Sequence, residues 1–220
     1  MNLENTCYIV GAASLDGVRL SPRPGDYVIA ADGGYRSLKA RGIEPDFVMG
    51  DFASLGYRPD HPNVETHPVM KDDTDLGLAV RWALAHGHRR LVMAGALGGR
   101  LDQTIASLQT LRGLTDAGAQ GWLIGCGWVV TAVQNGTLTF PAGMEGTVSV
   151  FSSGSAARGV TLRGLLYEIT DAELTCAMPL GVSNSFTGVP ATVRVTDGTV
   201  FVLWQGDALP DGLEVRHGAD

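Results

Sequence analysis

Five aspartates of the N-terminal half stand where loops could turn them to chemistry. Asp32 closes the apolar run Tyr27–Ala31 and precedes Gly33-Gly34, and Asp51 closes the run 47–49 after Gly50. Asp72, Asp73 and Asp75 precede or open an amphipathic segment. Taken singly, an aspartate before paired glycines is an ordinary turn residue, and one at a helix start is an ordinary cap. Taken together, carboxylates at the ends of successive strands repel one another unless a cation lies among them. Mg²⁺ suits such a set, because it takes a few carboxylate oxygens and completes its shell with water and substrate phosphate.

A second group follows the apolar run 91–94. In AGALGGRLDQ, Gly95, Gly98 and Gly99 let the backbone approach a ligand closely, and the segment opens a helix. A helix start offers free N–H groups to a phosphate. Arg100 adds a planar fork that pairs two phosphate oxygens, and Asp102 either caps the helix or orients Arg100. The spacing is neither the dinucleotide fingerprint nor the P-loop. A third group lies late in the chain. Ser183 and Asn184 sit between two turns in PLGVSNSFTG, where they either bond an amino-pyrimidine or stabilise their loop. Trp204 ends the last apolar run, as core or as a flat platform for a cationic heterocycle.

These residues need elements to hold them. Short apolar runs at Cys7–Val10, Tyr27–Ala31, 47–49 and 91–94 predict strands. A short helix is expected over 35–41. Apolar residues at Leu76, Ala79, Val80, Ala83 and Leu84 predict an amphipathic helix over 74–86, and Ile105, Leu108, Leu111 and Leu114 predict another. Strands alternating with helices imply a mainly parallel sheet, with ligands beyond the carboxyl ends of its strands. Near Gly125 the pattern changes to short Val-, Thr-, Gly- and Ser-rich runs at 128–133, 137–140, 147–151, 165–169, 191–195 and 199–204. Asn135-Gly136 and Asp197-Gly198 read as hairpin turns between them. A sandwich or partial barrel is expected here, with a frayed tail after Gly206.

The bulk numbers narrow the class. The 220 residues are 45% hydrophobic and 18% charged, a globular composition, and the net charge is −7. An acidic chain is a poor match for nucleic acid or an anionic membrane, so neither is expected as a partner. Cys7, Cys126 and Cys176 show no metal-ligand spacing and are expected as reduced, buried thiols. The N-terminus lacks a secretory pattern and GWLIGCGWVV is too short to span a bilayer, so a cytoplasmic location is expected.

In order along the chain, ADGG (31–34), PDFVMGDFAS (45–54), KDDTD (71–75), GALGGRLDQ (95–103) and GVSN (181–184), with the closing Trp204, resemble the thiamine pyrophosphokinase family. The resemblance spans roughly residues 7 to 205. It implies an N-terminal α/β catalytic domain with a mainly parallel sheet at 1–125, binding ATP and Mg²⁺. It implies a C-terminal all-β sandwich domain at 126–220, binding thiamine. The implied reaction is attack of thiamine's primary hydroxyl on the β-phosphorus of ATP, giving thiamine diphosphate and AMP. The implied assembly is a homodimer, with the active site at the subunit interface. Asp51 and Asp75 become metal ligands, and Asp32 lies beside metal and phosphates and polarises the hydroxyl. Lys71, Thr74, Gly98, Gly99, Arg100 and Asp102 fall on the ATP side, and Ser183, Asn184 and Trp204 on the thiamine side. Ala53 stands where the family carries a further aspartate; a water, Asp72 or Asp32 would then complete the metal site. Gly77 stands where a polar side chain is common. Ala53 leaves open a binding homologue of weak activity, and the same carboxylates would also serve a metal-dependent nucleotide phosphohydrolase.

Overall fold

The structure, a computed structural model, describes residues 5–68, 70 and 72–218. The chain divides into two compact units, Met1–Gly127 and Trp128–Asp220.

The first unit holds strands β1 (Cys7–Val10), β2 (Tyr27–Ala31), β3 (Phe47–Gly50), β4 (Val64–Thr66), β5 (Arg90–Ala94) and β6 (Gln120–Gly125), with helices α1 (Gly34–Ala40), α2 (Asp75–Ala85) and α3 (Leu101–Asp116). Every strand pairing is parallel, in the order β6-β5-β1-β2-β3-β4. β2, β3, β5 and β6 are buried in unbroken runs instead of alternating: Ile29, Val48 and Leu91 are 0% exposed, and so is Ala30, the neighbour of Ile29. Strands covered on both faces read this way. Chain order reverses at β1, with β2 to β4 on one side and β5 and β6 on the other. Such a switch opens a crevice beyond the strand ends. There Gly11 N–H donates to Ala94 O at 2.8 Å and Ala13 N–H to Gly95 O at 3.0 Å, tying the loops after β1 and β5 together.

α2 buries the face its spacing predicts, through Leu76, Ala79, Val80 and Ala83. α3 is longer than its pattern. Leu111 and Leu114 are buried, but Ile105 is 51% exposed, so apolar spacing overstates the buried face in its first turns. β4 and β6 were not predicted. β4 is three residues long and β6 lies inside the glycine-rich apolar stretch, where periodicity carries no strand signal.

The second unit contains only strands among its described regular elements: β7 (Trp128–Phe140), β8 (Thr147–Ser152), β9 (Ala156–Arg163), β10 (Ile169–Thr175), β11 (Asn184–Ser185), β12 (Ala191–Gln205) and β13 (Glu214–His217). All pair antiparallel, and β7 and β12 pair along most of their length. The first half of β12 also pairs with β9, and its second half with β8. Two long strands therefore serve two groups of shorter ones.

Both predicted hairpin turns are corrected by this. Asn135-Gly136 lies inside β7 and Asp197-Gly198 inside β12, facing each other at a register shift between Val195 and Thr199. Asn135 has φ of 44° and its Oδ1 accepts the Gly198 N–H at 2.8 Å. The residues that supply positive φ to a tight turn supply it equally to a bulge, where the strand bends and continues. The tail predicted to fray instead forms β13 on β7. The predicted strand 165–169 is mostly loop, with Leu165 bridged to Phe186, and β9 was not predicted.

Candidate active site

The three carboxylates that converge come from three successive loops of the first unit. Asp32 follows β2 in the left-handed region, with φ of 47°. Its N–H donates to Met49 O at 2.8 Å, and its carbonyl accepts the Tyr35 N–H at 3.2 Å, so it is held between β3 and the start of α1. The glycines after it are dictated by space, since a Cβ on Gly34 would collide with the Val10 carbonyl. Asp51 follows β3, and its Oδ1 accepts the Ala53 N–H at 3.0 Å, which folds the loop back on itself. Asp75 is the first residue of α2, just past the cap Thr74, whose hydroxyl accepts the Gly77 N–H at 3.0 Å.

One carboxylate oxygen from each of Asp32, Asp51 and Asp75 lies within 4.8 Å of the other two. Asp32 is 9% exposed, and its Oδ1 is buried without a hydrogen-bond partner among the described residues. Leaving a buried carboxylate oxygen unbonded costs about 1–3 kcal/mol or more, a debt the loops themselves do not offset. A hard divalent cation offsets it and also relieves the mutual repulsion, so the donor set fits Mg²⁺.

The neighbouring candidates fall elsewhere. Asp72 does not join the cluster; it is exposed and, with Asp73 and Thr74, borders a groove of roughly 720 Å³ between α2 and α3. Asp73 accepts the Thr74 N–H at 2.7 Å and pairs with Arg81. A Cβ on Gly77 would collide with that carboxylate, so the glycine makes room for the Asp73–Arg81 pair. Lys71 lies outside the described residues.

The glycine-rich turn joins β5 to α3. Gly95, Gly98 and Gly99 have φ of 64°, 81° and 70°, and the Gly98 N–H donates to Thr104 Oγ1 at 3.1 Å. Arg100 stands at the N-cap without capping the helix. Its Nε and Nη2 donate to the two Asp102 oxygens at 3.1 and 2.5 Å. The hydrogen bond from Arg100 holds the Asp102 carboxyl below the usual carboxylate range and raises the guanidinium in turn. Both side chains are mostly exposed, so Asp102 orients Arg100 in open solvent.

In the second unit, Ser183 has φ of 59° and an exposed side chain, and its N–H donates to Ser149 Oγ at 3.1 Å. Asn184 is 4% exposed and fully engaged. Its Oδ1 accepts the Tyr167 and Ser185 N–H groups, each at 2.9 Å, and its Nδ2 donates to Tyr167 O at 2.7 Å. Trp204 is 1% exposed, edge-on to Phe140 with ring centroids 5.2 Å apart. Of the two alternatives, core or platform, the structure gives core: enclosed by packing, the indole offers no open face.

Residues 23–121 match the family model described as thiamin pyrophosphokinase, catalytic domain, and residues 136–200 the one described as thiamin pyrophosphokinase, vitamin B1 binding domain. The chain belongs to the thiamin pyrophosphokinase family. It is 25% identical over 190 residues to thiamin pyrophosphokinase 1 of Caenorhabditis elegans, covering 80% of this chain and 78% of that one. It is 25% identical over 193 residues to thiamine pyrophosphokinase of Bacillus subtilis, covering 81% and 87%. The crystal structure of the Bacillus subtilis thiamine pyrophosphokinase superposes with a TM-score of 0.81 at 22% identity, over 93% of this chain and 100% of that chain. Yeast thiamin pyrophosphokinase gives a TM-score of 0.73 at 16% identity, over 94% and 88%. These likenesses establish the mixed α/β fold, rich in sheet and with few helices.

Two supporting residues carry no signal in the sequence alone. Thr104 holds the Gly98 amide, and a threonine six positions after a glycine carries no signal of its own. Cys126 has φ of 54°, its Sγ lies 3.5 Å from Leu97 O, and a Cβ on Gly98 would collide with that sulfur. The thiol thus fills the space under the turn. Cys126 and Cys176 are exposed, and only Cys7 is buried as expected. Both exposed cysteines lie in turns between strands, where small residue type does not imply burial.

Proposed function

We propose that this chain transfers the pyrophosphate of ATP to the primary hydroxyl of thiamine, giving thiamine diphosphate and AMP. The observation that carries the reading is the convergence of Asp32, Asp51 and Asp75 in a chain matched by both the catalytic and the vitamin B1 binding models. Asp51 and Asp75 would hold Mg²⁺ with Asp32 beside them. When bound, the cation neutralises phosphate charge and helps align the transferred group. Asp32, with its unbonded Oδ1, would take the proton of the thiamine hydroxyl as that oxygen bonds to the β-phosphorus. The bond from the β-phosphorus to the bridging oxygen breaks, and AMP leaves with that oxygen. The open backbone of Gly98 and Gly99, with Arg100 oriented by Asp102, suits the ATP phosphates, and Thr74 caps α2 next to Asp75 in the chain.

In this reading the second unit is a sandwich that binds thiamine. Ser183 offers an exposed hydroxyl, Asn184 holds its loop in place, and Trp204 supports from the core. Leu166, Tyr167, Leu180 and Val182 are 47–64% exposed around that loop, which supports a homodimer with thiamine held between subunits. Light scattering on the purified chain measures the dimer.

The test of the reaction is AMP formation from ATP with pure protein. It should require both thiamine and Mg²⁺. ATP hydrolysis that ignores thiamine would assign the carboxylates to a phosphohydrolase instead. Ala53 supports a second reading, a binding protein of weak turnover, since a methyl group there adds no oxygen beside Asp51. Under the enzyme reading, Ala53→Asp changes kcat by no more than about tenfold. A nearly inactive parent rescued by Ala53→Asp would favour the binding protein.

A further inference from the structure

Metal sites are tuned by groups that never touch the metal, through the loops that carry the ligands. The geometry points to Arg36 as such a positioning residue, one that sets the spacing of Asp32 and Asp51; this rests on the metal site proposed above. α1 is fixed to the Asp32 loop at its start, where the Asp32 carbonyl accepts the Tyr35 N–H at 3.2 Å and the Gly33 carbonyl the Arg36 N–H at 3.1 Å. From that turn the Arg36 side chain crosses to the other loop. Its Nη2 donates to Leu55 O at 3.1 Å and Ser54 O at 3.4 Å.

Those two carbonyls close the turn that begins right after Asp51. Within it, the Leu55 and Gly56 N–H groups both donate to Phe52 O, at 3.1 and 3.0 Å. Phe52 and Leu55 are 5% and 6% exposed, so the turn is anchored as a unit. The Ala53 N–H within the turn holds Asp51 Oδ1. A pull on the turn is therefore a pull on the Asp51 carboxylate. One guanidinium thus links the backbone behind Asp32 to the backbone behind Asp51. It reaches two carbonyls at once and keeps its charge at every working pH.

The C-cap of the same helix supplies a control. Arg41 donates to Val18 O at 2.7 Å and Leu15 O at 2.5 Å. The chemistry is the same, but that loop carries none of the three carboxylates.

The test is Mn²⁺ binding to the purified full chain without nucleotide, read from the electron paramagnetic resonance of free Mn²⁺. Arg36→Met should raise the Mn²⁺ Kd about tenfold, in the range that supporting groups give. Arg36→Lys should stay within about threefold of the parent, because both bonds come from one nitrogen that an ammonium can replace. Arg41→Met should lower the unfolding temperature and leave the Kd unchanged. In the AMP assay, Arg36→Met should raise the Mg²⁺ concentration for half-maximal rate while kcat at saturating Mg²⁺ stays within about threefold. Should Arg36→Met not fold, Arg36→Gln takes its place with the same expectation. A parent-like Kd in the Arg36 variant overturns the inference, and so does an equal rise in the Arg41 variant, which would make the effect a general loosening of α1. A parent that binds no Mn²⁺ at millimolar concentration overturns the metal site itself and this inference with it.

Discussion

Asp32 and Asn184 are buried to similar depth, 9% and 4% exposed, the first in a left-handed loop and the second in the short strand β11. Their hydrogen bonding is opposite. Asn184 accepts two backbone N–H groups and donates to a backbone carbonyl, all within reach of its own loops. Asp32 Oδ1 has no partner among the described residues, and an oxygen of the same carboxylate lies within 4.8 Å of one from each of two further carboxylates. The first arrangement stabilises the fold that contains it. The second destabilises it, and persists because β3 and α1 fix the backbone around it. Burial alone does not tell a site from a strut. The bonding of the buried atom does, since a satisfied polar group adds stability and an orphaned one subtracts it.

The largest effect expected from this contrast is on turnover. Asp75→Asn keeps the shape and removes one charge from the cluster. Thiamine-dependent AMP formation should fall by at least about 100-fold, the scale of losing several kcal/mol of charge stabilisation. Without metal, the same variant should unfold at an equal or higher urea midpoint, because a repulsion has gone. Near-parental activity would make the cluster a coincidence of turns and caps. The contrast with the second unit is in stability. Asn184→Ala strands two N–H groups and a carbonyl of the loops at 167 and 185, and should cost about 2–3 kcal/mol in urea unfolding. Asp32→Asn in metal-free protein should cost nothing or stabilise. If the two variants destabilise alike, the distinction between site and strut fails.

The sequence carries one side of this contrast better than the other. ADGG, the Gly50-Asp51 step and Thr74-Asp75 mark strand and helix ends, and parallel topology sends all such ends to one edge, so the meeting of Asp32, Asp51 and Asp75 was legible. Asp72 was not separable from Asp75 by type or spacing; only the first turn of α2 decides which one points to the cluster. Asn184 and Trp204 were readable as polar and aromatic, but their engagement depends on Tyr167 and Phe140, which lie far away in the sequence. The two dipeptides read as hairpins failed for a related reason. Positive φ is a local property, whereas the choice between ending a strand and bending it rests with the partner strand opposite. Convergence was therefore visible where parallel topology sends strand ends to one edge, and hidden where it depends on one particular partner elsewhere in the chain.

Cys7 offers a third way to bury a titratable group and gives the smallest expected effect. It is 0% exposed, and burial first, then the Asp46 charge, push its thiol up to about 12. The group avoids the position of Asp32 by staying neutral, and so needs no partner of the kind Asn184 has. At pH 8 a thiol with so high a pKa holds roughly one part in ten thousand as thiolate. A disulfide reagent should therefore modify exposed Cys126 and Cys176 readily in the folded protein, and the third thiol only on unfolding. Stability gives the sharper test. The unfolded thiol ionises near 9.0 and the folded one near about 12, so the unfolded chain releases its proton first. The stabilisation from a neutral Cys7 is fully present below the lower value and declines as pH rises between the two. In Cys7→Ala that part of the alkaline decline is absent, together with the share of the Tyr27 rise that the Cys7 charge adds to burial and Asp46, while Tyr8, whose hydroxyl burial also raises, contributes equally to both proteins. The stability difference between parent and variant should thus narrow steadily above pH 9, whatever the variant costs at neutral pH. A difference that stays constant to the alkaline limit would mean that Cys7 ionises alike in both states, and that burial alone does not keep it neutral.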